Sequence, residues 1–246
     1  MYEPMPQLGR LHSVDTRDAN YLLRSMNPQA ATAAANIPYR YHYHDTILDQ
    51  GSTSACTGAA ARQWLNMGPI RNLSGPDWWD LYKLNQRADI WPGEEPAYYG
   101  SSVRASFKVM QKLGFVKTYA WAFDLETLVN HVLSEGPAIL GTDWYADMFR
   151  TDKDGFVRVG GRNAGGHAYT VKGCSRIKKC PDGSLGAFRC INSWSEQWGQ
   201  KGMFWLSFKD AEALIKAQGE CATAFEQKAP ATRSVEPAVM TMQAYD

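Results

Sequence analysis

The sequence predicts an α+β fold with a helical subdomain, a β-rich subdomain and a cleft between them. Three observations carry the prediction. From about residue 56 to Gly136-Pro137 the apolar residues recur at helical spacing, and beyond that point they alternate. Helices followed by strands, rather than the two interleaved, fit segregated layers. The chain has 246 residues, 44% of them apolar, enough to bury the core of one large domain or of two closely packed subdomains.

Residues 1–36 read as an N-terminal arm. They hold scattered prolines and charges and the run Ala30-Ala31-Thr32-Ala33-Ala34-Ala35, with too little periodicity for more than a short helical turn. The folded domain is expected over 37–228, helical over about 48–135 and β-rich over about 136–226. Residues 229–246 form a tail with little pattern. Ser54 is placed to cap a helix from about Cys56 to Met67, closed by Gly68-Pro69. Ser74-Gly75-Pro76-Asp77 opens a second helix, in which Trp78, Leu81, Tyr82 and Asn85 share spacing. Ser101 or Ser102 opens a third, with Val103, Phe107, Met110 and Leu113 on one face and Gly114 as the stop. Asp124 opens a fourth, carrying Leu125, Leu128, Val129 and Val132. Strands follow over 138–142, 167–173, 187–191, 203–208 and 222–225, with turns at Asp154-Gly155 and Asp182-Gly183. The Asp154-Gly155 turn is expected to join a hairpin of 148–150 and 156–159. A short helix is expected over 210–217.

With 26 basic and 25 acidic residues there is no basic stripe, so nucleic acid is not an implied partner. No run approaches the roughly 18 apolar residues that span a bilayer, and Met1 to Arg10 lacks the pattern of a secretory leader. The cysteines, at 56, 174, 180, 190 and 221, are odd in number, which leans toward a reducing compartment. Cys174, Cys180 and Cys190 are close enough in sequence for a bridge or a metal, but read better as small buried apolar residues. His42 and His44 lack a third ligand and read as surface decoration. Asp152-Lys153-Asp154-Gly155 lacks the later ligands of a calcium loop. His131 reads as a surface residue. Neither metal nor cofactor is called for.

Three segments carry chemistry. In Leu48-Asp49-Gln50-Gly51-Ser52-Thr53-Ser54-Ala55-Cys56, a cysteine stands at a helix start, where free N–H groups and the helix dipole favour a thiolate nucleophile. Gln50 offers an amide donor for an oxyanion beside the Cys56 N–H. In Gly165-Gly166-His167-Ala168-Tyr169, two glycines before a strand histidine admit a close ligand or backbone. In Asn192-Ser193-Trp194-Ser195-Glu196-Gln197-Trp198-Gly199, Asn192 can accept from an imidazole N–H and fix its tautomer, with an indole to exclude water. Trp144 and Tyr145 are candidates for the cleft wall.

These segments, in this order, resemble the papain-like cysteine peptidases, in which a Gln-Gly…Cys segment precedes a His-Ala strand and an Asn-Ser-Trp turn. The resemblance spans about 37–225 and is dense at the motifs. It implies a papain-like α+β fold in which Cys56 attacks an acyl carbon and His167 is its base. It also implies that Asn192 orients His167 and that Gln50 stabilises the oxyanion. Gly100 would pair with an extended substrate beside Gly166, Trp194 would shelter the His–Asn bond, and Trp198 would pack nearby. The substrate implied is a peptide or protein. The family's disulfide near the nucleophile is lost at both ends, Thr53 and Ala97, and Ser195 replaces a glycine. The short arm is of a kind found in bacterial and bacteriophage relatives, which leans toward an intracellular or particle-associated enzyme. The same architecture also suits a cysteine amidase or peptidoglycan peptidase, a transpeptidase, or a catalytically silent binding protein.

Overall fold

The computed structural model describes residues 8–67, 71–90, 94–96 and 98–227. In the arm, a 3-10 turn (Thr16–Tyr21) and two short helices, α1 (Leu23–Met26) and α2 (Ala30–Ala34), precede strand β1 (Tyr39–Tyr41). This is more structure than the periodicity suggested. Leu23 and Ala34 reach the main core, so tertiary burial rather than propensity holds these turns.

Three helices make one side of the molecule: α3 (Cys56–Leu65), α4 (Trp78–Ala88) and α5 (Val103–Lys112). All ten residues of α3 are buried, and its small residues let neighbours close in on every side. A Cβ on Gly58 would stand 2.3 Å from the Trp78 carbonyl oxygen, so only glycine permits the contact of α3 with α4. Asp77 caps α4 and Ser102 caps α5, each accepting from the N–H three residues on. The expected cap at Ser74 therefore moves to Asp77, next to the first helical turn. α3 starts on Ala55 with no side-chain cap, so Ser54 does not serve as one. The expected stop at Gly68-Pro69 lies outside the described residues.

The other side is built on one antiparallel sheet. In spatial order it runs β2 (Val116–Trp121), β7 (Glu220–Gln227), β3 (Ala138–Tyr145), β4 (Asn163–Lys179), β5 (Leu185–Ile191) and β6 (Met203–Ser207), with β1 on β4. Helices α6 (Leu125–Ser134, capped by Asp124) and α7 (Phe208–Lys216) complete it. Strand residues alternate between two cores. Tyr169 and Val171 of β4 join Trp144, Phe188 and Phe204 in one. Ala168, just before Tyr169, faces Cys56, Trp64 and Phe107 in the other.

Several expectations are corrected here. β2 went unrecognised because its alternation is broken by half-buried Thr118 and Tyr119. The hairpin around Asp154-Gly155 does not form. Residues Ala146–Phe149 are a 3-10 turn, and Phe156 makes only an isolated bridge to Trp205. The Asp152 carboxylate accepts from the N–H of Asp154 and of Phe156, and so closes a loop instead. His131 is buried rather than exposed, its Nε2 2.8 Å from the Thr223 hydroxyl. His42 is buried too, donating from Nε2 to the Val132 carbonyl at 3.0 Å. All five cysteines are free and buried.

Candidate active site

Cys56 is the first residue of α3, at the end of the helix where backbone N–H groups lack helical partners. α3 packs on β4, and the Ala168 N–H lies within hydrogen-bonding reach of the Cys56 thiol, as do the N–H groups of Gly9 and Thr57. His167 comes from the strand beside this contact.

His167 Nε2 is 2.7 Å from Asn192 Oδ1. The same oxygen receives the Ser193 backbone N–H at 2.8 Å. A backbone N–H can only donate, so the amide is oriented with its oxygen toward the ring and Nε2 carries the proton. Nδ1 is then the basic nitrogen. It is buried and has no hydrogen-bond partner among the described residues, so no Cys56–His167 hydrogen bond forms in this arrangement. Two indoles enclose the ring. Trp194 lies over it and Trp144 meets it edge-on, both at 4.8 Å between centroids. Trp198 packs edge-on against Trp194. Trp144 thus backs the histidine rather than lining open cleft.

Backbone pairing brings the Gln50 segment to the Asn192 turn. Asp49 bridges Trp194, and Gln50 N–H donates to the Ser193 carbonyl at 2.8 Å. The Gln50 side chain is buried, its Oε1 accepting from the Ser193 hydroxyl at 2.6 Å and its Nε2 donating to the Thr53 carbonyl at 2.8 Å. Ser193 therefore holds both Asn192 and Gln50, a role its place between Asn and Trp did not reveal. Ser195 sits at φ 65°, a left-handed conformation that glycine adopts without cost and serine does not.

The chain's own arm fills the cleft. Leu8 to Leu11 run through it extended. Arg10 N–H donates to Gly166 O at 2.9 Å, Leu11 N–H to Ser101 O at 2.8 Å, and Gly9 O accepts from Ser101 N–H at 2.9 Å. On this side the arm pairs with Ser101, the residue after Gly100. Gly100 borders the same segment: a Cβ there would stand 2.6 Å from Gly9 O. A Cβ on Gly166 would stand 2.2 Å from Arg10 O. The groove that remains open, about 2240 Å³, runs beside the arm past Phe149 and Trp198 and touches neither Cys56 nor His167.

Burial under the arm sets the electrostatics. Desolvation pushes the Cys56 thiol up to about 11, against hydrogen bonds from the Ala168, Gly9 and Thr57 backbones. Desolvation lowers His167 to about 4, opposed by its bond to Asn192. With the arm in place the pair is a neutral thiol and a neutral imidazole. The thiolate expected from the helix start is overruled because water is excluded.

Arg10, Asp143 and Glu220 were not singled out from the sequence. Arg10 Nε bonds Glu220 Oε2 at 3.0 Å, and its Nη2 donates to the Gln218 carbonyl at 2.9 Å. Nη1 lies 3.9 Å from Asp143. The only sequence signal was an acid opening the small-residue strand Cys221-Ala222-Thr223-Ala224. No group of three or more His, Cys, Asp or Glu among the described residues is arranged to hold a metal.

No family profile matches the chain. Among curated sequences it is 28% identical over 81 residues to a cathepsin B-like cysteine proteinase 6 of Caenorhabditis elegans, covering 33% of this chain and 20% of that one. It is 26% identical over 96 residues to a cathepsin B-like cysteine proteinase of Schistosoma japonicum, covering 39% and 24%. The chain therefore spans about a quarter or less of the length of these relatives. Among solved structures it superposes on xylellain, a cysteine protease from Xylella fastidiosa, with a TM-score of 0.63 at 15% identity, covering 91% of this chain and 96% of that one. A procathepsin L 3 from Tenebrio molitor larvae gives 0.56 at 12% identity, covering 76% and 69%. The fold is papain-like.

Proposed function

We propose that this chain, whose fold is papain-like, is a cysteine peptidase of the papain-like family that hydrolyses peptide bonds with Cys56 as nucleophile. The observation that carries the reading is the buried His167–Asn192 bond. It leaves Nδ1 as the one basic ring nitrogen, on a strand packed against the helix that begins with Cys56. An ordinary packed histidine has no need of an asparagine whose oxygen is itself pinned by a backbone N–H.

In the proposed reaction an extended peptide takes the place of Leu8–Leu11. Water and substrate reach the pair once that segment lifts. The Cys56 proton passes to His167 Nδ1 and the sulfur adds to the carbonyl carbon. Gln50 Nε2 and the Cys56 N–H stabilise the oxyanion, Ser193 holding the Gln50 amide in place. His167 then gives its proton to the amine as the C–N bond breaks, leaving a thioester. Water, losing a proton to His167, attacks the thioester and releases the acid and the thiol. Asn192 keeps the ring in one tautomer throughout. Gly100, Ser101 and Gly166 supply backbone along which the peptide pairs, and Trp194 shields the His–Asn bond.

The test is intact mass after incubation with an epoxysuccinyl inhibitor under reducing conditions. A single adduct on the wild type, absent from Cys56→Ala, is expected. No adduct on folded protein, even after the arm is displaced by Gly9→Ala, would remove the reading.

A further inference from the structure

We propose that the pocket now filled by Arg10 selects the peptide substrate, taking an arginine side chain in preference to an apolar one, with Glu220 as the residue that decides the preference. This rests on the peptidase reading above and names its substrate class.

Four observations lead there. First, Arg10 occupies the cleft as a peptide would, extended, with its N–H on Gly166 and its neighbours paired to Ser101. It adjoins Gly9, whose N–H reaches the Cys56 thiol, so its side chain enters the pocket one residue from the nucleophile.

Second, the pocket belongs to the body of the protein. Glu220 comes from β7, the Gln218 carbonyl from the turn before it, Asp143 from β3 and Val103 from α5. Gly141 lies against the Arg10 stem. A Cβ there would come within 2.7 Å of Val103 Cγ2 and 3.2 Å of Arg10 Nε, so the strand is bare where a long side chain passes.

Third, the polar groups match a guanidinium. The Glu220 carboxylate and the Gln218 carbonyl receive Nε and Nη2, two donors of one planar fork, which a lysine ammonium cannot reproduce. The Glu220 side chain is 6% exposed and that of Arg10 3%. Desolvation raises Glu220 to about 7, opposed by Arg10. A carboxylate this buried needs a bound cation to stay charged at neutral pH.

Fourth, the other nearby cation is committed elsewhere. Arg104 pairs with Asp18 and lies 3.4 Å from Asp15, on the 3-10 turn and its cap. That turn is anchored by the stacking of Tyr21 on Tyr119 and by the bridge of Leu22 to Trp121. Residues 8–11 can leave while this anchor stays, and Glu220 then faces the cleft with no hydrogen-bonded cation, Arg104 acting on it only through its charge. A cavity of about 300 Å³ behind Glu220, bounded by Asp15, Asp89 and Arg104, leaves room for the site to adjust.

The test uses the full-length chain with Arg10→Ala, which empties the pocket. Cys56 is labelled with peptidyl acyloxymethyl ketones carrying Arg, Lys or Leu, placed in turn at the first and second residues from the reactive group. Iodoacetamide serves as the small control, and rates are read by intact mass. At one of the two positions the Arg reagent should react at least about tenfold faster than the Leu reagent, with Lys between them. Adding Glu220→Gln should reduce the ratio to about threefold or less. Equal or faster labelling by Leu at both positions would overturn the proposal, as would an Arg preference that survives Glu220→Gln. If iodoacetamide labels Cys56 but no peptidyl reagent does, the pocket is only a latch for the arm and the proposal fails. If no reagent labels folded protein at Cys56, it is the peptidase reading that fails, and this proposal with it. The comparison of Arg with Leu needs no Glu220 variant. Should Arg10→Ala not fold, Gly9→Ala displaces the same segment.

Discussion

The hydrogen bond from His167 Nε2 to Asn192 Oδ1 fixes which ring nitrogen is basic and holds the ring between two indoles. Asn192→Ala would leave a buried N–H without an acceptor, at about 1–3 kcal/mol. If that loss falls on the oriented histidine, the rate constant for Cys56 inactivation drops by about ten- to a hundredfold. Affinity for the inhibitor changes little, because Asn192 touches His167 and not the ligand. A loss confined to affinity would count against an orienting role. At this scale the candidate triad and Gln50 were legible, because each stands in a short motif with a chemical reason for its neighbours. Ser193, Arg10 and Glu220 were not. Their roles come from partners 143 and 210 residues away in the chain, and no local pattern encodes such a pairing.

The helix α3 and the arm segment over it meet as two elements whose fit depends on one missing side chain. A Cβ on Gly9 would stand 1.8 Å from the Ser54 carbonyl oxygen and 2.5 Å from its carbon, both rigid backbone. Gly9→Ala should therefore displace Leu8–Leu11 and let water reach Cys56 and His167. With the arm docked and the thiol near 11, roughly one molecule in ten thousand is thiolate at pH 7. Displacement should raise Cys56 alkylation by iodoacetamide at neutral pH by about tenfold or more. An unchanged rate in a folded variant would mean that the segment does not control access. Among elements, the helices capped by Ser102 and Asp124 read clearly from caps and periodicity. The arm's short helices and β2 did not, since packing against the sheet and core outweighs their weak local preference. Asp154-Gly155 misled in the other direction. It is a good turn signal, but the Asp152 carboxylate takes the N–H groups that a hairpin partner would have used.

Across the whole molecule the buried histidines set the response to acid. Desolvation lowers His131 to about 3 and His167 to about 4, so both are neutral when folded and take up protons on unfolding. Their contribution to stability is complete above pH 6.5 and is lost as pH falls from 6.5 toward 4. Glu220 runs the other way. Raised to about 7, it binds a proton in the folded state that the unfolded chain releases above about 4.5, so its contribution is lost as pH rises through 7. His44 is lowered to about 4 by desolvation as well, so near pH 5 these three histidines contribute about three protons of uptake and Glu220 returns most of one. Unfolding stability should then fall by about 2.7 kcal/mol per pH unit on acidification, for about two net protons, measured by urea denaturation between pH 6.5 and 4.5. His131→Gln should flatten the slope, and a slope that ignores the variant would place the acid sensitivity elsewhere. The sequence by itself determined the α+β class, the helices α3 to α6 with most of the strands after them, and the three motifs, because spacing and residue chemistry act over a few positions. Only the tertiary structure decided that Ser193 couples Gln50 to Asn192, that His131 and His42 are interior, that the arm covers Cys56, and that Arg10 lies on Glu220. Each of these depends on desolvation and on contacts between distant segments, which exist only once the sheet and helices have closed around them.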